Sequence, residues 1–131
     1  MALFIANATF GVTLVSNQDG DFSDPTTWNI AKAPNANDSV VISVGHTVLL
    51  TATDTVKALV INGNFYWDGA TTFNISSGGI TINAGGVLSG NFNTASLGFI
   101  QNNSNNYIIN NGSFDLNNIY LYNYLEFAKL E

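Results

Sequence analysis

The sequence predicts an all-β fold in which short parallel strands stack as a β-solenoid. Apart from the last eight residues, no segment of the 131-residue chain shows the apolar periodicity of an amphipathic helix. Short runs of β-branched and aromatic residues alternate with pairs rich in Gly and Asn. A pattern of aliphatic strand end, polar residue and glycine turn recurs about every 20 residues, which is typical of repeat architectures.

The candidate strands are three to six residues long and rich in residues that favour extended backbone. They cover residues 40–42, 47–50, 56–61, 64–67, 71–75, 79–83, 107–109, 113–116 and 119–122. Asn-Gly, Asp-Gly, Gly-Gly and Asn-Asn pairs separate them, and these residues adopt the positive φ angles of tight turns at little cost. The stretch 91–106, rich in Asn and Ser, indicates a loop or a loose coil.

Four isoleucines anchor the repeat: Ile42, Ile61, Ile82 and Ile109, which are spaced 19, 21 and 27 residues apart. About four coils, with backbone groups paired between coils about 4.8 Å apart, account for this spacing. Besides the anchors, the side chains predicted to point inward are Leu59, Phe73, Ile75, Val87, Leu88, Phe99, Ile100, Phe114 and Leu116. A β-sandwich or jelly roll, which also has strands about every 8–12 residues, is the alternative.

Only 9% of the residues are charged, and the net charge is −6. Three lysines and no arginine cannot neutralise a phosphate backbone, so nucleic-acid binding is excluded on charge, as is attraction to an anionic membrane. No apolar run reaches the roughly 18 residues of a membrane span, so we expect no membrane insertion. The chain has no Cys, and we expect no cofactor. Asn supplies 20 positions, and stacked Asn side chains hydrogen-bond where stacked charges would repel.

The N-terminal third carries a motif outside the repeat. It comprises Gly20-Asp21-Phe22, Ser23-Asp24-Pro25, Trp28, Pro34, Asp38-Ser39-Val40-Val41-Ile42 and Gly45-His46-Thr47-Val48. Over residues 18–50 this pattern resembles the opening of the G8-like and related right-handed β-helix proteins of bacterial cell surfaces. The resemblance implies a right-handed parallel β-helix in which Trp28 covers the first coil and Pro34 with Asp38 shapes the entry turn. Similar solenoids build phage tail spikes and fibres.

We therefore expect a single domain in three parts. Residues 1–38 would form an N-terminal strand and capping segment, and residues 39–123 would form the solenoid coils. Residues 124–131 would be a tail that serves as an interface or as a cap.

Asp19, Asp21 and Asp24 form an acidic cluster, and carboxylates at alternating positions suit Ca²⁺. The segment lacks the glycine and the distal glutamate of an EF-hand loop. Turn formation and helix N-capping are competing roles for the same residues. These three residues are therefore only weak calcium candidates, and we expect no other metal site.

The sequence offers little for catalysis. His46 is the only histidine, and no Ser or Cys nucleophile motif surrounds it. Asp68 and Asp115 could form a carboxylate pair for glycoside hydrolysis, but the Asp-Gly pair at residues 68–69 is a strong turn signal. We predict that the protein is not an enzyme and has no catalytic residue.

Phe65, Tyr66 and Trp67 are three consecutive aromatic residues in a candidate strand, so alternation exposes at least one of them. An exposed aromatic ring beside polar side chains is a common arrangement for holding a sugar ring. We predict a glycan site formed by Tyr66, Trp67 and Asp68. The alternative is an aromatic ladder or an interface.

Near the C-terminus, alternation gives one candidate strand two apolar or aromatic faces, and it lies at the open end of the solenoid. Unpaired backbone groups at such an end are normally covered. We predict an interface between copies of the chain, with a trimer favoured, formed by Tyr120, Tyr122, Tyr124, Leu125 and Phe127. The alternative is that residues 125–131 fold back as a cap.

These observations predict a non-enzymatic structural or binding module. The expected role is that of a virion spike, head-fibre or tail-fibre subunit in surface attachment, located on the virion surface. Its expected partners are further copies, other virion or surface proteins and a cell-surface glycan. The first alternative is an excised fragment of a secreted β-helix adhesin of the bacterial cell surface. The second is a carbohydrate-active enzyme domain.

Overall fold

The computed structural model describes residues 10–68, 71–91, 96–99, 107–115 and 120–122. Within these ranges the chain forms fourteen short β-strands and a 3₁₀ helix at Pro25–Thr27. The strands are β1 (Thr13–Val15), β2 (Gly20–Asp21), β3 (Ser39–Ile42), β4 (Thr47–Leu50), β5 (Asp54–Val56), β6 (Ala58–Ile61), β7 (Asn64–Asp68), β8 (Thr72–Ile75), β9 (Ile80–Ile82), β10 (Val87–Asn91), β11 (Ser96–Phe99), β12 (Ile108–Asn110), β13 (Ser113–Phe114) and β14 (Tyr120–Tyr122). The prediction of an all-β chain is confirmed.

The strands form three sheets. Sheet 1 has the order β1-β3-β6-β9-β12, sheet 2 the order β2-β4-β7-β10-β13, and sheet 3 the order β5-β8-β11-β14. From β3 onward each strand belongs to the sheet after that of its predecessor, and every third strand returns to the same sheet. All pairings between these strands are parallel, whereas a β-sandwich needs antiparallel neighbours. The sandwich alternative therefore does not fit the described chain.

Strict alternation separates a core face from an outward face. In β7, Phe65 and Trp67 are buried while Asn64, Tyr66 and Asp68 are exposed. The fully buried apolar side chains include the predicted Ile42, Ile61, Ile82, Leu59, Phe73, Ile75 and Leu88. Burial of each such side chain contributes about 1.5–3 kcal/mol, so this single core holds the sheets together.

Two predicted core positions are wrong. Ile109 is 41% exposed, and its neighbour Ile108 is buried instead. The reason is register: Ile108 pairs with Ile80, which places Asn110 opposite Ile82. A shift of one residue moves every side chain of a strand to the other face. The internal repeat predicts that Ile109 is equivalent to Ile82 because both precede a polar turn, but β12 continues one residue beyond Ile109.

The second wrong position is Val87, which was predicted to point inward together with Leu88. Two consecutive strand residues cannot share a face, and Leu88 takes the core position opposite Phe65. Phe114 packs against the core as predicted. The predictions for Phe99, Ile100 and Leu116 concern side chains outside the described part of the chain.

An aromatic cluster lies at the β2 side of the core. Phe22, which directly follows β2, contacts Trp28, Phe65 and Phe73 edge-to-face with ring centroids 5.4–5.9 Å apart. The indole N–H of Trp28 donates a hydrogen bond to the carbonyl of Phe22. Trp28 is therefore buried against the N-terminal side of the core.

A buried carboxylate fixes the segment that leads into β3. Asp38 is fully buried and accepts hydrogen bonds from the backbone N–H groups of Val12 and Asn35. The Lys32 ammonium lies 2.5 Å from its second oxygen. Burial alone would raise the pKa of Asp38, but Lys32 and the two N–H groups outweigh burial and lower it.

Polar side chains stack between neighbouring strands. Asn83 Nδ2 donates to Asn62 Oδ1 at 2.7 Å, and the two residues follow β9 and β6 at equivalent positions of sheet 1. Asn74 Nδ2 and Thr55 Oγ1 lie 3.4 Å apart across β8 and β5. The predicted hydrogen bonding between stacked Asn side chains is confirmed at residues 62 and 83. Within the described ranges, none of the helical segments is long and apolar enough to span a bilayer.

Candidate functional site

The outward face of sheet 2 carries the most distinctive set of exposed side chains. Leu49 of β4 and Tyr66 of β7 are register partners and are 39% and 37% exposed. An aliphatic and an aromatic side chain therefore stand side by side on a flat strand surface. We call this pair the Leu49–Tyr66 strip.

Polar groups border the strip on both sides. Thr47 and Asn64 are register partners next to it, with Asn64 Nδ2 3.3 Å from Thr47 Oγ1. Ser89 pairs with Tyr66 on the far side, and the exposed Asp68 lies two residues further along β7. The surface thus combines an aromatic ring with hydroxyl, amide and carboxylate groups.

Trp67 does not belong to this surface. It is fully buried, packs against Phe65 and Phe73, and donates its indole N–H to Thr71 Oγ1 at 2.6 Å. Its ring has no exposed face on which a sugar could stack. The prediction that Trp67 belongs to a glycan site is therefore wrong, because alternation places Trp67 in the core. Tyr66 and Asp68 are exposed, and a glycan site at these two residues stays a prediction.

The three carboxylates of the acidic cluster have separate hydrogen-bond partners. Asp19 Oδ1 accepts from the N–H of Thr47, 28 positions later in the chain. Asp24 caps the 3₁₀ helix and accepts from the N–H and the hydroxyl of Thr26. Among the described residues, no three acidic or histidine side chains converge as a metal site. The geometry favours the turn and capping roles over Ca²⁺ binding for these residues.

Asp21 joins two segments of the chain. Its Oδ1 accepts from the N–H and hydroxyl of Ser23, and its Oδ2 accepts from Thr51 Oγ1 at 2.5 Å. Burial alone would raise the pKa of Asp21, but these hydrogen bonds outweigh it and lower the pKa.

His46 has a partner that the sequence did not indicate. Ser16 Oγ lies 2.9 Å from His46 Nδ1, across 30 positions of the chain. The same hydroxyl is buried and accepts the N–H of Ser43, whose own hydroxyl donates to the Ser16 carbonyl. In the described part of the chain no carboxylate forms an ion pair with His46. The arrangement connects β1 to the turn after β3, and it offers no accessible nucleophile.

Asp68 and Asp115 are far apart for a carboxylate pair. The Asp115 N–H donates to the Leu88 carbonyl, so Asp115 follows the register of β10 and lies near Ser89. Asp68 lies on β7, the neighbour of β10 on its other side. It is two residues beyond Tyr66, which is the register partner of Ser89. Two strand spacings and two residue rises separate their Cα atoms by about 12 Å. The carboxyl groups of glycosidases lie about 5–9.5 Å apart, and the register does not place Asp68 and Asp115 opposite each other on adjacent strands.

Asp54 is a half-buried carboxylate on β5, the strand that forms one edge of sheet 3. It pairs in register with Phe73, whose side chain is in the core. Burial raises the pKa of Asp54, and the hydrogen bond from the Thr55 N–H offsets this only in part. The partial burial and raised pKa of Asp54 were not predicted from the sequence, since this residue falls between two predicted strands.

The predicted interface of Tyr120, Tyr122, Tyr124, Leu125 and Phe127 lies largely outside the described residues. The backbone of β14 pairs in parallel with β11, with Tyr120 opposite Ser96 and Tyr122 opposite Gly98. The two tyrosines thus occupy alternate register positions at the edge of sheet 3, while residues 124, 125 and 127 are not described.

The chain was compared with known proteins. The family model of the G8 domain matches residues 27–116, which is more than half of the chain. No curated protein and no solved structure gives a significant match. The matched range contains all strands from β3 to β13, so the similarity extends well beyond residues 18–50, where the motif resemblance was seen. The protein belongs to the G8 domain family.

Proposed function

We propose that this protein is a non-enzymatic binding and structural module in which the three sheets are the faces of a short right-handed parallel β-helix. The strand order supports the proposal, because successive strands pass from sheet 1 to sheet 2 to sheet 3 and then return to sheet 1. One turn of the chain then adds one strand to each sheet. The stacked side chains of Asn62 and Asn83 are further support, since like residues occupy equivalent positions on neighbouring strands.

The module binds a cell-surface glycan through the outward face of sheet 2. The observation that carries this is the Leu49–Tyr66 strip with its border of Asn64, Thr47 and Asp68. Strand pairing places these side chains next to one another before a ligand arrives, which reduces the ordering that binding requires.

The proposed setting is a virion spike, head fibre or tail fibre, where a homo-oligomer, with a trimer favoured, presents the module on the virion surface for attachment. A secreted β-helix adhesin of the bacterial cell surface would use the same binding face. Genes for virion structural proteins next to the coding sequence would support the virion, and genes for secretion or cell-wall anchoring would support the adhesin.

A glycan array tests the binding function. We expect the wild-type protein to bind a subset of glycans, and Tyr66→Ala to weaken that binding about two- to tenfold, since an aromatic stacking contact is worth about 0.5–1.5 kcal/mol. The matched control is Tyr107→Ala, because Tyr107 is 42% exposed but precedes β12 of sheet 1. Silence of the wild-type protein on the array, or equal losses in the two variants, would contradict the proposal.

A further inference from the structure

We propose that the outward face of sheet 2 selects glycans that carry no carboxylate or sulfate group. This inference rests on the binding function proposed above and deepens it, because it names the chemical class of sugar that the Leu49–Tyr66 strip accepts. It follows from the uneven placement of charge around the sheets. Carboxylates border the strip, whereas both lysines of the described chain lie elsewhere.

Two carboxylates share the outward side of sheet 2 with the strip. Asp21 of β2 is the register partner of Leu49, so one strand spacing of about 4.8 Å separates their backbones. Asp68 is exposed and follows Tyr66 by two residues on the same side of β7, a rise of about 7 Å. Asp19, also exposed, accepts the N–H of the first residue of β4. A ligand on the strip therefore has negative charge on two sides.

The positive charges of the described chain lie away from this face. Lys57 is the single residue between β5 of sheet 3 and β6 of sheet 1. The Lys32 ammonium and the Lys57 N–H both contact Asp38, which directly precedes β3 of sheet 1. His46 directly precedes β4, but Ser16 Oγ lies 2.9 Å from its Nδ1, and the imidazole is counted as neutral at pH 7. Among the described residues, no cationic side chain is thus placed to compensate an acidic sugar on sheet 2.

The remaining polar groups beside the strip are neutral. Thr47, Asn64 and Ser89 offer hydroxyl and amide groups. These groups both donate and accept hydrogen bonds, so they can pair with the hydroxyl groups of a neutral sugar in either direction. An ionised carboxylate only accepts, so Asp68 can take a hydrogen bond from a sugar hydroxyl but offers no donor to a ligand carboxylate. Hydrogen bonding and charge therefore favour the same class of glycan.

The expected discrimination is modest and depends on salt. Asp68 lies about 7 Å along the strand from Tyr66, within the Debye length of about 8 Å at an ionic strength of about 0.15 M. With the charge of Asp21 added, we expect an acidic glycan to bind about threefold more weakly than its neutral counterpart at this physiological salt. At low salt, about 0.01 M, the Debye length is about 30 Å, and we expect a difference of about tenfold. A purely steric preference would not change with salt.

The test is a glycan array printed with matched pairs and probed with the full chain at low and at physiological salt. Each neutral glycan stands beside the same glycan with one carboxylate, present as a uronic acid in place of a hexose or as an added sialic acid. We expect the neutral member of each bound pair to bind more strongly, by a ratio that shrinks at physiological salt.

The outcomes separate this inference from the function on which it rests. Equal or stronger binding of the acidic members at low salt would overturn the inference and leave the binding function intact. A preference for neutral members that does not respond to salt would also overturn it, because charge would then not be the cause. Silence toward both members of every pair would contradict the binding function and this inference with it.

Asp68→Asn shows whether the charge on sheet 2 is responsible. It removes one negative charge and keeps the size of the side chain, so we expect the ratio of acidic to neutral binding at low salt to rise about two- to threefold. The matched control is Asp54→Asn, which removes the same charge from the core side of sheet 3 and should leave the ratio unchanged. An equal rise in both variants would mean that the net charge of −6 sets the preference, and this would overturn the inference.

Discussion

Tyr66 and Trp67 are adjacent residues of β7 with opposite environments. Tyr66 points outward beside Leu49, and Trp67 points into the core, where it contacts Phe65 and Phe73. Three consecutive aromatic residues showed that at least one must be exposed, but the sequence did not indicate which. Which of the two side chains is exposed depends on which face of β7 packs against the core, and only the packing of the sheets determines that face.

Asp54 gives a prediction at the same scale. Its pKa is raised in the folded protein above the ordinary value of 3.8, so its ionisation costs stability at neutral pH and not below pH 3.8. We expect Asp54→Asn to raise the melting temperature at pH 7 by about 2 °C, the effect of a few tenths of a kcal/mol in a domain of this size. The gain should vanish near pH 3, where the wild-type carboxyl is protonated in both states.

Thermal unfolding followed by circular dichroism at the two pH values measures this effect. Asp68→Asn is the matched control, because it removes the same charge from an exposed position. A lower melting temperature of Asp54→Asn at pH 7 would contradict the expectation and would mean that the carboxylate makes a stabilising contact.

At the scale of elements, the connections between sheet 1 and sheet 2 repeat with a regular variation. They span residues 43–46, 62–63, 83–86 and 111–112, so four-residue and two-residue connections alternate. Three of these connections end in a glycine directly before the sheet-2 strand: Gly63, Gly86 and Gly112. Each of these glycines packs against a backbone carbonyl of the preceding coil. The sequence showed these glycines as turn signals. It did not show that they are required by close approach of neighbouring backbone segments.

Gly63→Ala tests this close approach. A Cβ atom at residue 63 would lie 2.2 Å from the Ser43 carbonyl oxygen and 2.5 Å from that of His46, so backbone would have to move. We expect a loss of about 3 kcal/mol in the free energy of unfolding, the upper range for overpacking. The control is Gly45→Ala: its Cβ meets nothing within 4 Å, and only its φ of +82° is unfavourable. It should cost about 1 kcal/mol.

Chemical denaturation of both variants provides the comparison. If Gly45→Ala cost as much as Gly63→Ala, backbone conformation would be the cause, and the close approach to Ser43 would be unimportant.

At the scale of the whole molecule, a few carboxylates connect the N-terminal segment to the sheets. Asp38 holds Val12, Lys32 and Asn35, and Asp21 holds Ser23 and Thr51. The pKa of each of the two carboxyls is lowered in the folded protein. Their stabilising contribution is therefore complete above pH 3.8 and is lost as the pH falls through the folded pKa. Acid should loosen the N-terminal segment.

Asp38→Asn measures this contribution. We expect a loss of about 2–3 kcal/mol in the free energy of unfolding at pH 7. The reason is that the buried Asp38 carboxylate, which accepts hydrogen bonds from two backbone N–H groups and from Lys32, is replaced by a neutral amide. At pH 2.5 the difference from the wild type should be smaller, since the pKa of Asp38 is lowered and the stabilisation by its ionised carboxylate begins to be lost below pH 3.8. Urea denaturation at both pH values tests this, and an equal loss at the two would contradict it.

Much of the sheet architecture was predictable from alternation and glycine spacing, and the exceptions depend on strand register or on contacts between distant residues. The prediction that Ile61 and Ile82 lie in the core is confirmed. It follows from the alternation of side chains along a strand, which places every second residue on the same face. Ile109 was misplaced because the turn after β12 begins one residue later than in the other repeats. The Ser16–His46 contact joins residues 30 positions apart and leaves no local pattern.

The sequence by itself determined the all-β class, the low charge, the family motif and most strand positions. These follow from residue composition and from short-range periodicity, which a single chain displays directly. The sequence-based prediction missed β2 and β5, and it was wrong for β11, which lies in the stretch 91–106 that was predicted as a loop or loose coil. The tertiary structure alone decided the register of β12, the burial of Trp67, the partners of Asp38 and His46, and the unequal chemistry of the three outward faces. Each of these depends on which distant residues come into contact, and that is set by packing of the whole core.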